Sequence, residues 1–242
     1  MTQTKKSFSS HPEPVFPMPA FIRNAWSEVT VKRADRADSK FIAWILQESA
    51  RSHLKRGLWD ALFPGDESHR LNILERLTTS DTHHFCHYKD FFIAKDQAGQ
   101  YLGAISSYRP DKSGPEEFSV FFLTFLKSLG YSDSEIFKCV LDVAPFFKII
   151  PPAPPGSVVA EWAASVPTYR HQGLTFLLTE YLIEDAKARN LDLIQVSHFC
   201  GNTPVERSLN RAGFRYIQTC ENLRFKDKMG TAGMKSYRYY FR

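Results

Sequence analysis

Apolar residues recur at strand and helix spacings from about residue 25 onward, after a polar start that is rich in proline. Residues 1–24 carry prolines that prevent a regular helix, so they predict an extended or disordered arm. Residues 25–242 predict a single domain in which strands and helices alternate. Up to residue 108 the pattern predicts a strand at 28–32, helices at 36–52 and 67–78, and strands at 84–94 and 101–108.

Residues 111–150 predict a helical insertion ahead of the central strand. Its first helix has an apolar stripe at helical spacing, formed by Phe118, Phe121, Phe122, Phe125, Leu126 and Leu129. A second helix begins at Ser132, where Glu135 completes a capping box. The residues predicted to point inward from it are Ile136, Phe137, Val140 and Leu141. These phenylalanine-rich helices fill core beneath the insertion, cover an acceptor pocket as a lid, or form a contact between subunits.

Residues 158–190 join a predicted strand, a turn and an amphipathic helix without a break. A helix that begins directly after such a turn presents free N–H groups and the positive end of its dipole, which together bind phosphate. Gly173 lets the main chain approach a diphosphate closely, and Arg170 adds a permanent positive charge. The predicted phosphate-binding turn consists of Arg170, His171, Gln172, Gly173, Leu174 and Thr175.

The chain beyond residue 190 predicts a buried strand at 193–196 and then a loop. Asn202 or Thr203 caps a helix that runs to about Arg211, and Gly213 ends it. Aromatic-rich segments at 214–219 and 235–241 predict the last two strands.

The excess of basic residues in the C-terminal third favours a polyanionic ligand. The net charge is +5, and residues 170–242 hold twelve Lys and Arg against seven Asp and Glu. No basic-aromatic repeat or zinc finger pattern favours nucleic acid. No apolar run is long enough to span a bilayer and no signal peptide is visible, so we expect a cytoplasmic protein without a membrane partner.

Cysteine and histidine spacings predict neither disulfide bonds nor a metal site. The cysteines are isolated from one another, and no C-x-x-C pair occurs. On a strand, His83 and His87 share one face while His84 and Cys86 share the other, so the four cannot easily converge on a metal. Covalent catalysis by Cys200 is also not favoured, because no third group orients it beside His198.

The turn from Arg170 to Thr175 resembles the R/Q-x-x-G-x-G/A loop of the GNAT superfamily of N-acetyltransferases. That family binds the diphosphate of acetyl-coenzyme A with this loop, in the same order of strand, proline, turn and helix. Thr175 departs from the pattern, since the family prefers glycine or alanine there. The Walker phosphate loop and the dinucleotide fingerprint are both absent from the sequence.

A second block, Asn202 to Phe214, is similar to the family's N-x-x-A-x-x-L-Y-x-x-x-G-F signature. Asn202, Gly213 and Phe214 are in place, so Asn202 joins the predicted coenzyme A-binding residues. Val205 replaces the alanine of that signature and Leu209 replaces its tyrosine.

The resemblance implies an α/β fold with a twisted mixed sheet flanked by helices. It places coenzyme A where the strand from Val158 diverges from the strand at Leu193. Backbone groups at Ala164, Ser165 and Val166 would bind the pantetheine arm and polarise the thioester carbonyl. The implied reaction is direct transfer of the acetyl group of acetyl-coenzyme A to a primary amine within a ternary complex, without a metal.

Two residues are candidates for the base that removes the amine proton. Glu161 lies on the strand that meets the thioester, although a carboxylate in that position is often only part of an ion pair. His198 follows the parallel strand, where a histidine is often merely hydrogen-bonded. Because Leu209 cannot protonate the leaving thiolate, that step requires water, Tyr169 or Tyr216, or the protein has weak or no activity.

The sequence therefore predicts an acetyl-coenzyme A-dependent N-acetyltransferase. Its acceptor is an amine, with a small molecule favoured over a protein because the insertion is rich in phenylalanine. The alternative is a regulatory module that binds coenzyme A without turnover, to which the departures at Thr175 and Leu209 point. A homodimer formed through residues 115–150 is a further expectation.

Overall fold

A computed structural model describes residues 26–241 of the chain, so the predicted arm at residues 1–24 lies outside the described residues. Residues 26–241 form one seven-stranded mixed sheet in the order β1-β2-β3-β4-β5-β7-β6, with helices packed against it. The predicted α/β fold is thereby confirmed. The strands are β1 Thr30–Arg33, β2 Phe91–Lys95, β3 Tyr101–Tyr108, β4 Ser157–Ser165, β5 Leu193–Phe199, β6 Arg215–Glu221 and β7 Gly233–Tyr240.

Helices lie before, within and after the run of strands. The α-helices are α1 Ser39–Arg51, α2 Leu58–Leu62, α3 Glu67–Thr78, α4 Pro110–Ser113, α5 Pro115–Ser128, α6 Asp133–Phe147, α7 Leu174–Ala188, α8 Thr203–Arg211 and α9 Leu223–Met229. Short 3-10 helices occur at Arg36–Asp38, Tyr88–Asp90 and Pro167–Tyr169. No helix of the described range is both long and apolar enough to cross a membrane.

Two hydrophobic cores lie on opposite faces of the sheet. The first core is formed by one sheet face with α1, α2, α3 and the insertion helices α5 and α6. The second core is formed by the other face with α7 and the end of α8. Successive strand residues point to opposite faces. Accordingly Val159 of β4 belongs to the first core, while Val158 and Ala160 belong to the second.

The segment His84 to Asp90 is not part of a strand, which corrects the predicted strand at 84–94. Two histidine rings accept backbone N–H groups inside this segment: His84 Nδ1 from Cys86 at 3.2 Å, and His87 Nδ1 from Lys89 at 3.3 Å. These local hydrogen bonds hold the backbone in turns and compete with strand pairing. Only Phe91–Lys95 pairs with β3.

Two short helices, α2 and α9, were absent from the sequence-based prediction. Each is too short for its apolar residues to show a helical period. Their largest buried residues are aromatic, Trp59 in α2 and Phe225 in α9, and both are fully buried in the first core. Tertiary packing therefore determines these helices more than local periodicity does.

The insertion helices confirm one predicted orientation and correct the other. In α5 the predicted stripe faces the core, with Phe118, Phe122, Phe125 and Leu126 buried. In α6 the capping box between Ser132 and Glu135 is present, and Ile136 is buried. The remaining α6 prediction was wrong, because the inward side continues through Val143 and Phe146. The residues left exposed on α6 include Phe137, Val140, Leu141 and Phe147.

The homodimer expected through the insertion stays a prediction, now with a defined surface. Phe137 of α6 is 64% exposed, Leu141 is 57% exposed, and Val120 of α5 is 75% exposed. Phe137 and Leu141 are four residues apart on α6 and so share one face, and an exposed apolar patch marks an interaction site. If a second copy covers it, Phe137→Asp combined with Leu141→Asp should convert a dimer to a monomer in analytical ultracentrifugation. Asn72→Asp, on the exposed side of α3, is the charge control and should remain a dimer; a monomeric wild type contradicts the prediction.

Candidate active site

β4 and β5 pair over only part of their length, so an opening forms between their carboxyl ends. The parallel pairing joins Ser157–Ala160 to Leu193–Val196. Beyond Ala160, β4 continues beside β3, while β5 continues beside β7 to Phe199. In open α/β sheets, ligands bind outside the carboxyl ends of the strands at such a divergence. The opening lies where the sequence predicts coenzyme A.

The predicted phosphate-binding turn has backbone conformations that expose N–H groups. Gly173 caps α7 in the left-handed region with φ 87°, and His171 also has a positive φ of 64°. The first α7 amide with a backbone acceptor in the helical pattern is that of Leu177, which donates to the carbonyl of the capping residue Gly173 at 3.1 Å. The preceding amides, at Leu174, Thr175 and Phe176, belong to the helix turn that has no intrahelical acceptor. The turn therefore presents donors and a positive dipole end to the opening.

Side chains within this turn are anchored to the surrounding structure. The Arg170 guanidinium donates to Glu48 Oε2 of α1 at 2.9 Å and to the Ser165 carbonyl at 3.2 Å. The Gln172 side chain donates to the Thr168 carbonyl at 2.8 Å. The Trp26 indole donates to the Gln172 carbonyl at 3.0 Å, so the start of the described chain also holds the turn in place.

The predicted pantetheine-binding residues end β4 on the edge of the opening. Ala164 pairs with Ala104 of β3, and Ser165 pairs with Gly103. Val166 donates its N–H to the Leu102 carbonyl at 2.8 Å. A side chain at Gly103 would meet the Ala164 carbonyl oxygen at 2.7 Å, so glycine is required for this close approach of β3 to β4.

Asn202 lies on the other side of the opening and caps α8. Its side-chain oxygen accepts the Val205 N–H at 3.4 Å, which agrees with the predicted cap. Its side-chain nitrogen donates to Ser52 Oγ at 2.8 Å, just beyond the end of α1. Ser52 and Glu48 thus connect the end of α1 to both sides of the opening.

Glu161 of β4 lies on the face of the first core. Burial raises the pKa of its carboxyl group from 4.5 to about 7, and a hydrogen bond with the Tyr108 hydroxyl opposes part of that rise. Its charge helps, after burial, to raise the pKa of the fully buried Cys86. No ion pair to Glu161 forms among residues 26–241. A carboxyl group that titrates near neutral pH can accept and return a proton under ordinary conditions.

His198 of β5 is almost completely buried, with 6% of its surface exposed. Its Nδ1 lies 2.9 Å from the Phe199 carbonyl, an arrangement that places the proton on Nδ1. Its ring stacks on that of Tyr237 at 5.4 Å, and burial lowers its pKa. The neutral imidazole therefore has a free lone pair on Nε2, which has no hydrogen-bond partner in the described structure.

The two predicted bases lie on opposite faces of the sheet. Glu161 shares its face with Val159 and the first core, whereas Tyr237, on which His198 stacks, belongs to the second core. Glu161 therefore faces the insertion, and His198 faces the side of α7 and α8. The structure does not bring them together as a pair.

None of the residues considered for protonating the thiolate is placed clearly for that task. Leu209 is buried in the second core, where it packs and has no proton to give. Tyr216 lies on β6, the outermost strand, and its hydroxyl is hydrogen-bonded to Thr219 at 2.8 Å. At about 4.8 Å per strand, β6 lies roughly 14 Å from β4. Tyr169, packed against the second core and Trp26, is nearer to the opening.

The histidines considered for a metal site make hydrogen bonds and ring contacts instead. His83 Nε2 lies 3.0 Å from Asp90, and the His83 and His87 rings touch at 5.1 Å. Within residues 26–241 no group of three or more His, Cys, Asp or Glu is arranged to hold a metal ion. The segment forms turns and not a strand, so these side chains do not alternate between two faces as predicted.

Sequence reasoning missed Tyr108, which is hydrogen-bonded to Glu161, and it also missed Trp59 and Trp162, whose rings adjoin. Tyr108 ends β3 and pairs with Val159, two residues before Glu161. Strand pairing between β3 and β4 could have placed Tyr108 beside Glu161. No signal in the sequence indicates that the short helix α2 brings the Trp59 ring to 5.6 Å from that of Trp162.

Several solved structures that share this fold are acetyltransferases. A crystal structure of an acetyltransferase aligns with a TM-score of 0.61 at 17% identity, over 88% of this chain and 100% of that one. A GCN5-related N-acetyltransferase from Kribbella flavida aligns with a TM-score of 0.53 at 15% identity, over 89% and 99%. An agmatine N-acetyltransferase aligns with a TM-score of 0.50 at 12% identity, over 88% and 100%.

No protein-family profile and no curated protein matches the sequence. The chain has the GNAT acetyltransferase fold, as the resemblance of its loop residues predicts.

The raised pKa of Glu161 predicts a distinctive pH dependence of stability. Between pH 4.5 and about 7 the folded state holds a proton that the unfolded state has lost, so stability falls as pH rises. Glu161→Gln does not titrate. The free energy of unfolding of Glu161→Gln minus that of wild type should therefore increase by at most about 3 kcal/mol between pH 4.5 and about 7. Above pH 7 this difference should stay constant. Urea denaturation of both proteins at each pH measures the difference, and a difference that does not change with pH contradicts the assignment.

Proposed function

We propose that this protein transfers the acetyl group of acetyl-coenzyme A to a primary amine, by direct transfer within a ternary complex. The observation that carries the proposal is the opening between β4 and β5, bordered by a helix whose N-terminus follows Gly173. The acetyltransferase fold supports it, and so does one structural neighbour that is an agmatine N-acetyltransferase.

The α7 N-terminus would bind the diphosphate of acetyl-coenzyme A. Its unpaired amides and dipole attract an anion, and the left-handed Gly173 allows close contact. Arg170 would add charge after exchanging its carboxylate partner Glu48 for a phosphate oxygen. That exchange costs little, because a half-exposed ion pair contributes only about 0–1 kcal/mol. Thr175 would be tolerated because it is the amide, not the side chain, that faces the anion.

Glu161 would act as the base. The amine nitrogen attacks the thioester carbon, a C–N bond forms, the C–S bond breaks, and Glu161 takes the proton that the amine loses. A pKa of about 7 suits this transfer because the carboxylate is available at neutral pH yet basic enough to accept the proton. Since Leu209 offers no acid, the thiolate of coenzyme A would leave unassisted or take its proton from water or Tyr169.

The second candidate is a coenzyme A-binding regulatory module without turnover. The burial of Leu209 in the second core favours it, because the position that matches the family's tyrosine supplies packing instead of a proton. Both candidates require the same binding turn. They differ in whether free coenzyme A is produced in the presence of an amine.

A glutamate at position 173 should abolish binding of acetyl-coenzyme A, because it places a negative charge against the diphosphate. Thermal unfolding with and without excess acetyl-coenzyme A measures this: wild type should melt at a higher temperature with the ligand and Gly173→Glu should not. Gly230→Glu is the matched control, since Gly230 has φ 77° and ψ 7°, close to the 87° and 7° of Gly173. Equal responses of the two variants, or a wild type that does not respond, contradict the proposed binding turn.

Loss of the base should lower turnover without preventing binding of acetyl-coenzyme A. In a thiol-release assay with a panel of amines, Glu161→Gln should reduce kcat by about 10²–10⁴ and remove the rise of rate with pH near 7. His198→Gln should keep that rise, because His198 faces the other side of the sheet. The reverse result would make His198 the base, and a wild type that binds acetyl-coenzyme A but releases no thiol with any amine would favour the regulatory module.

A further inference from the structure

A bulge in β4 directs Trp162 to the same face as Glu161. Ala164 pairs with Ala104, but Glu161 pairs with Ser106, so β4 contains one more residue than β3 between these pairs. Neighbouring residues on a regular strand point to opposite faces. Here Trp162 packs against the first core, on the side where Glu161 meets Tyr108. The bulge therefore places the Trp162 ring on the same face of the sheet as the proposed base.

Trp162 has an unfavourable backbone conformation. Its φ of 45° lies in the left-handed region, which is unusual for a bulky side chain. Such a conformation costs on the order of 1–3 kcal/mol and is found mainly at functional sites, where the surrounding structure holds it. The strain at Trp162 is thus a first indication that its position serves a ligand.

The indole N–H groups of Trp59 and Trp162 are both buried without a hydrogen-bond partner in the described structure. Trp59 is completely buried, and the two rings lie 5.6 Å apart. A buried donor left unpaired costs about 1–3 kcal/mol, so two of them in adjoining rings need an explanation. Because an indole can only donate, the missing partner is an acceptor atom.

The surroundings favour a neutral acceptor over an anion. The Glu161 carboxyl group lies on the same face, and two negative charges placed close together are unfavourable. Two basic groups that contact α2 are already neutralised, because Asp60 binds Arg51 at 2.9 Å and Arg70 at 3.1 Å. Phe85 stacks parallel to Trp162 at 6.0 Å and adds an apolar wall.

We propose that Trp59 and Trp162 form an oxygen-binding subsite for the acceptor, so that the preferred substrate is an amine with a nearby neutral carbonyl on an apolar body. Amino-acid amides and N-terminal aminoacyl groups have this chemistry, and simple alkylamines do not. The inference rests on the proposed acetyl transfer at the same site. It adds the two indoles as groups that position the amine before Glu161.

The experiment compares phenylalaninamide with 2-phenylethylamine, which has the same aromatic amine skeleton without the carboxamide. The measured quantity is the ratio of their kcat/KM values in wild type, Trp162→Phe, Trp59→Phe and the control Trp44→Phe. Trp44 packs against the same core and stacks on Phe41. Loss of one hydrogen bond should lower the ratio about three- to tenfold in the first two variants and leave it unchanged in the control. Any difference in protonation between the two amines is the same for every variant, so it cancels when the kcat/KM ratios of the variants are compared.

A second form of the experiment removes only the N–H group. Site-specific replacement of Trp162 by benzothienylalanine keeps the shape of the ring and substitutes sulfur for the N–H. The shift in melting temperature on adding each amine, with coenzyme A present, gives a readout without turnover. The isosteric variant should lose the advantage of phenylalaninamide that wild type shows.

The outcomes separate this inference from the proposed function. Equal use of both amines by wild type, or a preference that persists after the N–H is removed, overturns the subsite while acetyl transfer stands. Selective stabilisation by phenylalaninamide without thiol release from any amine supports the subsite and overturns the proposed function. No turnover and no selective stabilisation overturns both.

Discussion

The end of pairing between β4 and β5 after Ala160 is the constraint on which the rest of the site depends. Up to that residue the two strands share a parallel ladder, and beyond it each follows a different neighbour. The bulge that contains Trp162 lies directly after the last shared pair, and bulges bend and twist the strand that carries them. The same local irregularity thus accompanies the opening and determines the face of the sheet to which Trp162 points.

The sheet separates two electrostatic environments. On one side, the start of α7 presents amides without an intrahelical acceptor and the positive end of its dipole, which suits an anion. On the other side, Glu161 lies among aromatic rings with no basic partner in the described chain, so burial raises its pKa. No ion pair within the described chain lowers this pKa, whereas a cation beside the carboxylate would do so.

The order of strands and the loop residues could be predicted from the sequence because their signals are local. Pro167, Gly173 and the helical period after it fix the turn without reference to distant residues. The prediction failed where the hydrophobic pattern does not determine the structure. The rings of His84 and His87 replace strand pairing with local hydrogen bonds, and α6 is apolar on both sides, so its sequence does not say which side faces the core.

The orientation of Trp162 could not be predicted from the sequence either. Alternation along β4 predicts that its side chain lies on the face opposite to the one that it occupies. The extra residue between Glu161 and Ala164 is visible only in the register with β3. A regular strand would have placed Trp162 on the α7 side, and the sequence alone could not relate its indole to that of Trp59.

The contacts that α1 makes across the opening are separate from the packing that holds this helix in the core. Glu48 binds Arg170 on the β4 side, and Ser52 binds Asn202 on the β5 side. Both are polar contacts near the surface, worth about 1 kcal/mol each, and neither involves the buried residues of α1. Ile42, Ile45 and Leu46 hold that helix in the first core with no exposed surface. Release of the two polar contacts therefore frees the predicted binding residues while the packing that positions Glu161 remains intact.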